Sequence, residues 1–129
     1  MSFDGKTPER RIIIAEDDES MNCLLTFMME REGFDVRSTS DGREASQLIK
    51  SLGPVDIVVL DQLMPFKSGM QLIAEIRAMS EWDNVPIIML TSKNQERDLL
   101  RALELGANEY LTKPFNPKEL MARIKRHLK

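Results

Sequence analysis

The sequence predicts an α/β domain built on a parallel sheet that helices cover on both faces. Two observations indicate this class. Five short runs rich in β-branched residues alternate with five segments whose apolar residues recur every three or four positions, and the connections between them are short. The chain has 129 residues, the size of about one domain. We therefore expect a single domain over residues 11–129, preceded by a polar N-terminal extension over residues 1–10.

The strands are predicted from their branched aliphatic residues. Arg11–Ala15 contains three isoleucines and is followed by three acids, whereas residues 55–61 form an apolar run that ends at Asp61. Such runs are typical of strands buried on both faces of a parallel sheet. Residues 34–39 alternate only weakly, so this strand should lie nearer the sheet edge. Residues 86–91 and 110–112 complete the set.

Helical periodicity and end signals define the five helices. The first follows Ser20 and ends before Gly33, the third starts at Ser68-Gly69, the fourth covers about 95–105 before Gly106, and the fifth starts at Pro117. The second ends at Gly53-Pro54. The apolar stripes expected to face the sheet are Met21, Leu24, Leu25 and Met28; Ala45, Leu48, Ile49 and Leu52; Leu72, Ile73, Ile76 and Met79; and Leu120, Met121, Ile124 and Leu128.

Composition excludes several classes of function. The 18 basic and 21 acidic residues give a net charge of −3, so no broad positive field for nucleic acid is present. No apolar run approaches the ~18 residues of a spanning helix, and we expect a soluble cytoplasmic protein. The single cysteine, Cys23, cannot form an internal disulfide and is interpreted as core filler. His127 is interpreted as a surface residue, and Met64 and Met70 as packing residues.

Polar residues follow four of the predicted strands. Because the carboxyl ends of parallel strands meet at one rim, Glu16, Asp17, Asp61, Thr91 and Lys113 should converge there. Three close carboxylates raise one another's pKa values unless a cation neutralises them. Hard oxygen ligands without His or Cys select Mg²⁺, and Mg²⁺ with Lys113 balances the three acids.

This combination of groups is suited to phosphoryl transfer, in which positioning and charge neutralisation carry most of the catalysis. Asp61 would be the nucleophile, Lys113 would hold a phosphoryl oxygen, and Thr91 would hydrogen-bond the product. Each residue also has a simpler interpretation. The acids at 16–18 can be helix N-terminal acids, Thr91 a loop cap and Lys113 a solvated lysine.

These residues resemble the receiver domain of bacterial response regulators, and the single-domain chemotaxis regulators in particular. The resemblance covers residues 11–129. Its carriers are Glu16-Asp17 after Ile-Ile-Ile-Ala, Asp61 with Met64-Pro65, Gly69, Thr91 after Ile-Ile-Met-Leu, and the run Tyr110 to Phe115 with Lys113-Pro114. It implies a flavodoxin-like, doubly wound sheet of order 2-1-3-4-5.

The resemblance also implies function. A histidine kinase or phosphotransfer protein would phosphorylate Asp61, and Asp17, Asp61 and the Leu63 backbone carbonyl would bind Mg²⁺, with Glu16 acting mainly through water. Thr91 and Tyr110 would be the switch pair. The face formed by helix four, strand five and helix five would bind an effector, as a monomer or a phosphorylation-dependent dimer. The only reactions catalysed would be the domain's own phosphorylation and dephosphorylation.

Some positions depart from the common family pattern, and alternatives remain. Ser68 stands where an Asp often precedes the glycine, and Leu63 and Lys93 occupy variable positions that tune the phosphoryl lifetime. A Mg²⁺-dependent aspartyl phosphatase would need an acid at Leu63. The glycines match no nucleotide-binding or flavin-binding pattern. An interaction domain independent of phosphate, or a receiver cut from a larger protein, is also considered.

Overall fold

The computed structural model describes residues 10–92 and 96–128. Five strands alternate with five helices in chain order. The strands are β1 (Arg11–Ala15), β2 (Asp35–Thr39), β3 (Ile57–Asp61), β4 (Ile87–Thr91) and β5 (Glu109–Thr112). The helices are α1 (Glu19–Arg31), α2 (Gly42–Leu52), α3 (Gly69–Arg77), α4 (Glu96–Leu105) and α5 (Pro117–His127), with a short 3-10 turn at Ser80–Trp82. Lys93 and Gln95, named in the sequence analysis, lie outside the described residues.

The sheet confirms the predicted fold class. Its order is β2-β1-β3-β4-β5 and every neighbouring pair is parallel. The register aligns Ala15, Leu60, Met89 and Tyr110 in one row across four strands. The residues that follow this row therefore meet at one rim, and β2 lies at the sheet edge as predicted.

Two apolar layers cover the sheet, one on each face. Ile13, Val58 and Leu60 face the layer formed with α2, α3 and α4. Ile12 and Val59, one position along their strands, face the layer formed with α1 and α5. This alternation follows from the two-residue period of a strand. Both faces of the central strands are thus buried, which explains why their sequences are apolar without interruption.

Side-chain caps start the helices where the chain leaves the rim. The Ser68 hydroxyl accepts from the backbone N–H of Gln71, and the Gln71 side chain accepts from the Ser68 N–H, which forms a capping box. Asp18, Asp41 and Asn116 cap α1, α2 and α5 in the same way. Gly33 follows the end of α1 with φ 93°, the left-handed conformation that glycine adopts without strain.

Three expectations about side-chain placement were wrong. Cys23 is exposed, not a core residue, and Leu24 is 42% exposed. The buried residues of α1 are Leu25 and Met29, and Cys23 lies two positions before Leu25, about 200° away around the helix. His127 is not a free surface residue, because its ring nitrogen Nε2 lies 2.8 Å from Glu109 Oε2. Met64 and Met70 pack against the core as predicted.

Among the described residues, no helix combines the length and the apolar character needed to cross a membrane.

Candidate phosphoryl-transfer site

Three carboxylates meet at the carboxyl ends of β1 and β3. Glu16 directly follows β1 and is fully buried, and Asp61 ends β3 with 6% exposure. Asp17 is exposed. One carboxylate oxygen from each of the three side chains lies within 4.8 Å of the others. The parallel pairing of β1 with β3 brings them together, although 45 positions separate Glu16 from Asp61.

Lys113 closes the other side of this cluster. Its ammonium donates to Glu16 Oε1 at 2.7 Å and lies 3.6 Å from Asp61 Oδ2, and its side chain is 19% exposed. Burial acts to lower the pKa of Lys113, but the hydrogen bond to Glu16 and the charge of Asp61 outweigh it and raise this pKa. Lys113 is therefore a fixed positive charge beside both buried acids. The Lys113–Pro114 peptide bond is cis.

Asp61 is difficult to ionise in this setting. Burial raises its pKa, interactions with Asp17 and Glu16 raise it further, and Lys113 lowers it in part; the result is a pKa of about 7. Three acids and one ammonium leave a deficit of two positive charges when all groups are ionised. A divalent cation would supply these charges and favour the ionised form of Asp61.

The donor set fits Mg²⁺. Its three ligand residues offer only carboxylate oxygens, and such hard oxygen donors suit Mg²⁺ rather than zinc. The alternative in which these acids only favour the helix dipole describes Asp18, whose carboxylate accepts from the backbone N–H of Met21 at 3.0 Å. Glu16 has a different environment, because its side chain is buried against Lys113.

Thr91 and Tyr110 lie together beyond Asp61. Thr91 ends β4 and is fully buried, and its backbone oxygen accepts from the Lys113 N–H at 2.6 Å. Burial raises the pKa of Tyr110, and a hydrogen bond with Thr91 opposes this rise in part. The Tyr110 hydroxyl also donates to Gln62 Oε1 at 3.4 Å. The tyrosine side chain is thus half-buried and held by polar contacts at the rim.

Leu63 lies two positions after Asp61 with 49% of its surface exposed. Its backbone N–H points towards Asp61 Oδ1 at 3.4 Å. The structure therefore brings together Glu16, Asp17, Asp61 and Lys113, with Thr91 and Tyr110 alongside, and leaves the Leu63 side chain at the surface. A cleft of about 590 Å³ begins at Glu16 and Asp17 and extends towards α2.

Sequence reasoning missed two groups near the site. Gln62 is 6% exposed and contacts Tyr110, but an amide beside an acid gives no recognisable signal. Glu109, at the start of β5, accepts from Arg123 at 2.6 Å and from Arg126 at 2.5 Å, and contacts His127. The basic residues of α5 recur at helical spacing, and this was the available signal.

The fold and the site define a class of protein, and the comparisons agree with it. The family model described as response regulator receiver domain matches residues 12–125. The chain belongs to this family, whose members are signalling domains of two-component systems.

Solved structures give the same assignment. A putative response regulator from Chloroflexus aurantiacus is 32% identical over 94% of this chain and 98% of that chain, with a TM-score of 0.86. Chemotaxis protein CheY4 of Vibrio cholerae is 26% identical over 94% of this chain and 100% of that one, with a TM-score of 0.86. The receiver domain of a signal transduction histidine kinase from Syntrophus aciditrophicus is 32% identical over 92% and 89% of the two chains, with a TM-score of 0.83.

Proposed function

We propose that this protein is a phosphorylation-activated switch in which Asp61 accepts a phosphoryl group from a histidine kinase or a phosphotransfer protein in the cytoplasm. The observation that carries the proposal is the buried Asp61 carboxylate, which lies among Glu16, Asp17 and the Lys113 ammonium. A carboxylate in this position has little role in packing. It has the neighbours that a charged phosphoryl group needs. The proposed receiver domain covers residues 11–129, after an extension over residues 1–10.

The reaction forms one bond and breaks another. An Asp61 carboxylate oxygen attacks phosphorus, the bond from phosphorus to the donor's imidazole nitrogen breaks, and the imidazole leaves with that electron pair and takes up a proton. Lys113, already 3.6 Å from Asp61, holds one phosphoryl oxygen as a point charge. Thr91 donates its hydroxyl hydrogen to another.

Asp17, Asp61 and the Leu63 backbone carbonyl would hold Mg²⁺, with Glu16 acting mainly through water. When bound, Mg²⁺ supplies neutralisation of the developing phosphoryl charge. The protein's own residues then orient the acceptor oxygen. The apolar, exposed Leu63 provides no acid for rapid hydrolysis of the product, so the protein acts as a switch and not as an aspartyl phosphatase.

Phosphorylation adds roughly −1.5 to −2 charge at the rim. The Thr91 hydroxyl moves towards the new charge, and Tyr110, which its hydrogen bond links to Thr91, turns further inward. Tyr110 lies on β5 between α4 and α5, so its movement changes the face that these elements form. This face would bind the effector, either as a monomer or as a phosphorylation-dependent dimer.

Phosphoryl uptake from labelled acetyl phosphate with Mg²⁺ tests the proposal. Wild-type protein should incorporate one acid-stable, base-labile label per chain, and Asp61→Asn should incorporate none. Asp56→Asn is the matched control, because Asp56 is an exposed acid just before the opposite end of β3. Labelling of Asp61→Asn at the wild-type level, or unchanged wild-type labelling with excess EDTA, would refute the assignment.

A further inference from the structure

The connection between β3 and α3, residues 62–68, is fixed to the first turn of α2. The backbone oxygen of Pro65 accepts from the Gly42 N–H at 3.0 Å and from the Lys67 N–H at 2.9 Å. A Cβ at Gly42 would overlap the Lys67 carbonyl oxygen. The two backbones thus touch directly, at a separation that only glycine permits. The same connection carries Leu63, two positions after the proposed phosphoryl acceptor.

Lys67 adds a side-chain anchor to two helices at once. Its ammonium lies 2.5 Å from Glu75 Oε2 on α3 and donates to the Ser46 hydroxyl of α2 at 3.1 Å. The Ser46 hydroxyl in turn donates to Glu75 Oε1 at 2.7 Å. Ser46 is only 4% exposed, and the Lys67 and Glu75 side chains are 34% and 27% exposed. A closed, partly buried network of three groups is stronger than an exposed ion pair.

Phe66 shows that this connection is held in a strained shape. Its φ of 72° places a non-glycine residue in the left-handed region, at a cost of about 1–2 kcal/mol. The Phe66 ring lies under the Arg43 guanidinium, 4.0 Å from the ring centroid. Contacts from α2 and α3 on both sides of Phe66 maintain a conformation that the isolated segment would not prefer.

We propose that Lys67, acting through Glu75 and Ser46, is a positioning residue for the Mg²⁺ site. The network fixes residues 62–68 before metal binds, so the Leu63 carbonyl needs little ordering when it becomes a ligand. This inference rests on the proposed function. Groups that orient metal ligands typically change affinity by 10–100-fold when removed. Because Lys67 acts through the backbone, we expect about a tenfold effect.

Direct Mg²⁺ binding to metal-free protein tests this role. Isothermal titration calorimetry should give a dissociation constant about tenfold higher for Lys67→Met than for wild type. The maximal rate of phosphoryl uptake should stay within about twofold once Mg²⁺ is saturating, because bound metal restores the geometry. Glu75→Gln removes the partner instead and should shift Mg²⁺ affinity in the same direction, which provides a second variant if Lys67→Met folds poorly.

A readout without metal separates positioning from a general loss of stability. The Gly42 N–H, bonded to the Pro65 oxygen, should exchange with solvent at least tenfold faster in metal-free Lys67→Met than in wild type. Amides in the middle of β3 should keep their wild-type exchange rates. Lys118→Met, at an exposed lysine on α5, is the matched control and should change neither Mg²⁺ affinity nor Gly42 exchange.

The double variant Lys67→Met/Glu75→Gln completes the test. If Lys67 acts through Glu75, its Mg²⁺ affinity should equal that of Lys67→Met within about twofold. Unchanged Mg²⁺ affinity in Lys67→Met, beside a wild type that takes up label, would overturn this inference and leave the proposed function intact. A reduced maximal rate with unchanged affinity would also overturn it. A wild type that takes up no label would instead refute the proposed function itself.

Discussion

Replacing Glu109 by glutamine should destabilise the protein at neutral pH and progressively less as the pH falls below about 4.5. Glu109 starts β5, and its carboxylate contacts Arg123, Arg126 and His127, which lie on α5. Burial acts to raise the pKa of Glu109, but hydrogen bonds from Arg126, His127 and Arg123 outweigh it and lower this pKa to about 2. The cluster joins the edge strand to the last helix.

The size of the effect follows from this pKa. A decrease from the ordinary value of 4.5 to about 2 corresponds to roughly 3 kcal/mol of differential stabilisation at about 1.4 kcal/mol per pH unit. The Arg126 and Arg123 side chains are 61% and 31% exposed, so water and salt screen part of it. We therefore expect the ionised carboxylate to stabilise the fold by about 1–2 kcal/mol.

The sign of the pH dependence is fixed by the direction of the pKa. A carboxyl whose pKa is lower in the folded protein stabilises the fold fully above its unfolded value, near 4.5. This contribution disappears as the pH falls towards about 2, where the folded form also takes up a proton. Glu109→Gln has no such carboxyl, so its deficit relative to wild type should shrink across this interval.

Urea unfolding followed by circular dichroism measures the effect. Free energies of unfolding of wild type and Glu109→Gln should differ by about 1–2 kcal/mol at pH 7 and by less than half of that at pH 3. Glu104→Gln, at an exposed glutamate on α4, should follow wild type at both pH values. A Glu109→Gln deficit that is equal at pH 7 and pH 3 would refute the electrostatic explanation and indicate a packing role.

Two further substitutions test contacts elsewhere in the fold. A Cβ at Gly69 would lie 2.5 Å from the Asp61 carbonyl oxygen, so Gly69→Ala should lower the urea-unfolding free energy by about 1–3 kcal/mol; a wild-type value would show that the helix start can shift without cost. The Arg77 guanidinium donates to four oxygens in the loops that precede β4 and β5, so Arg77→Met should cost about 2–4 kcal/mol in the same assay. Arg77→Lys should recover less than half of that loss, because an ammonium cannot reproduce the planar fork; full recovery would mean that charge alone matters.

The strands and the convergence of the acids were predictable because they depend on local pattern and one topological rule. Uninterrupted apolar runs at β1 and β3 indicated burial on both faces, and parallel strands must end at one rim. Glu16 and Asp61 could therefore be placed side by side without coordinates. The helix ends at Gly33 and Ser68 followed from backbone conformation and capping in the same way.

Side-chain orientation within a helix was less predictable. Cys23 and Leu24 belong to an apolar segment, and the segment alone does not define which side of α1 faces the sheet. Packing against the sheet selected Leu25 and Met29. A shift of one position turns a helix by about 100°, so an error of one residue moves a side chain from the core to the solvent.

By itself, the sequence determined the fold class, the order of elements and the chemistry assembled at the rim, because hydrophobic period and strand polarity are properties of the chain. Only the tertiary structure decided the polar pairings: Tyr110 with Gln62, Glu109 with the basic residues of α5, and Lys67 with Glu75 and Ser46. Each joins separate elements, and many charged residues of similar spacing compete for each partner. Distance and burial select among those competitors, and both exist only after the helices have packed on the sheet.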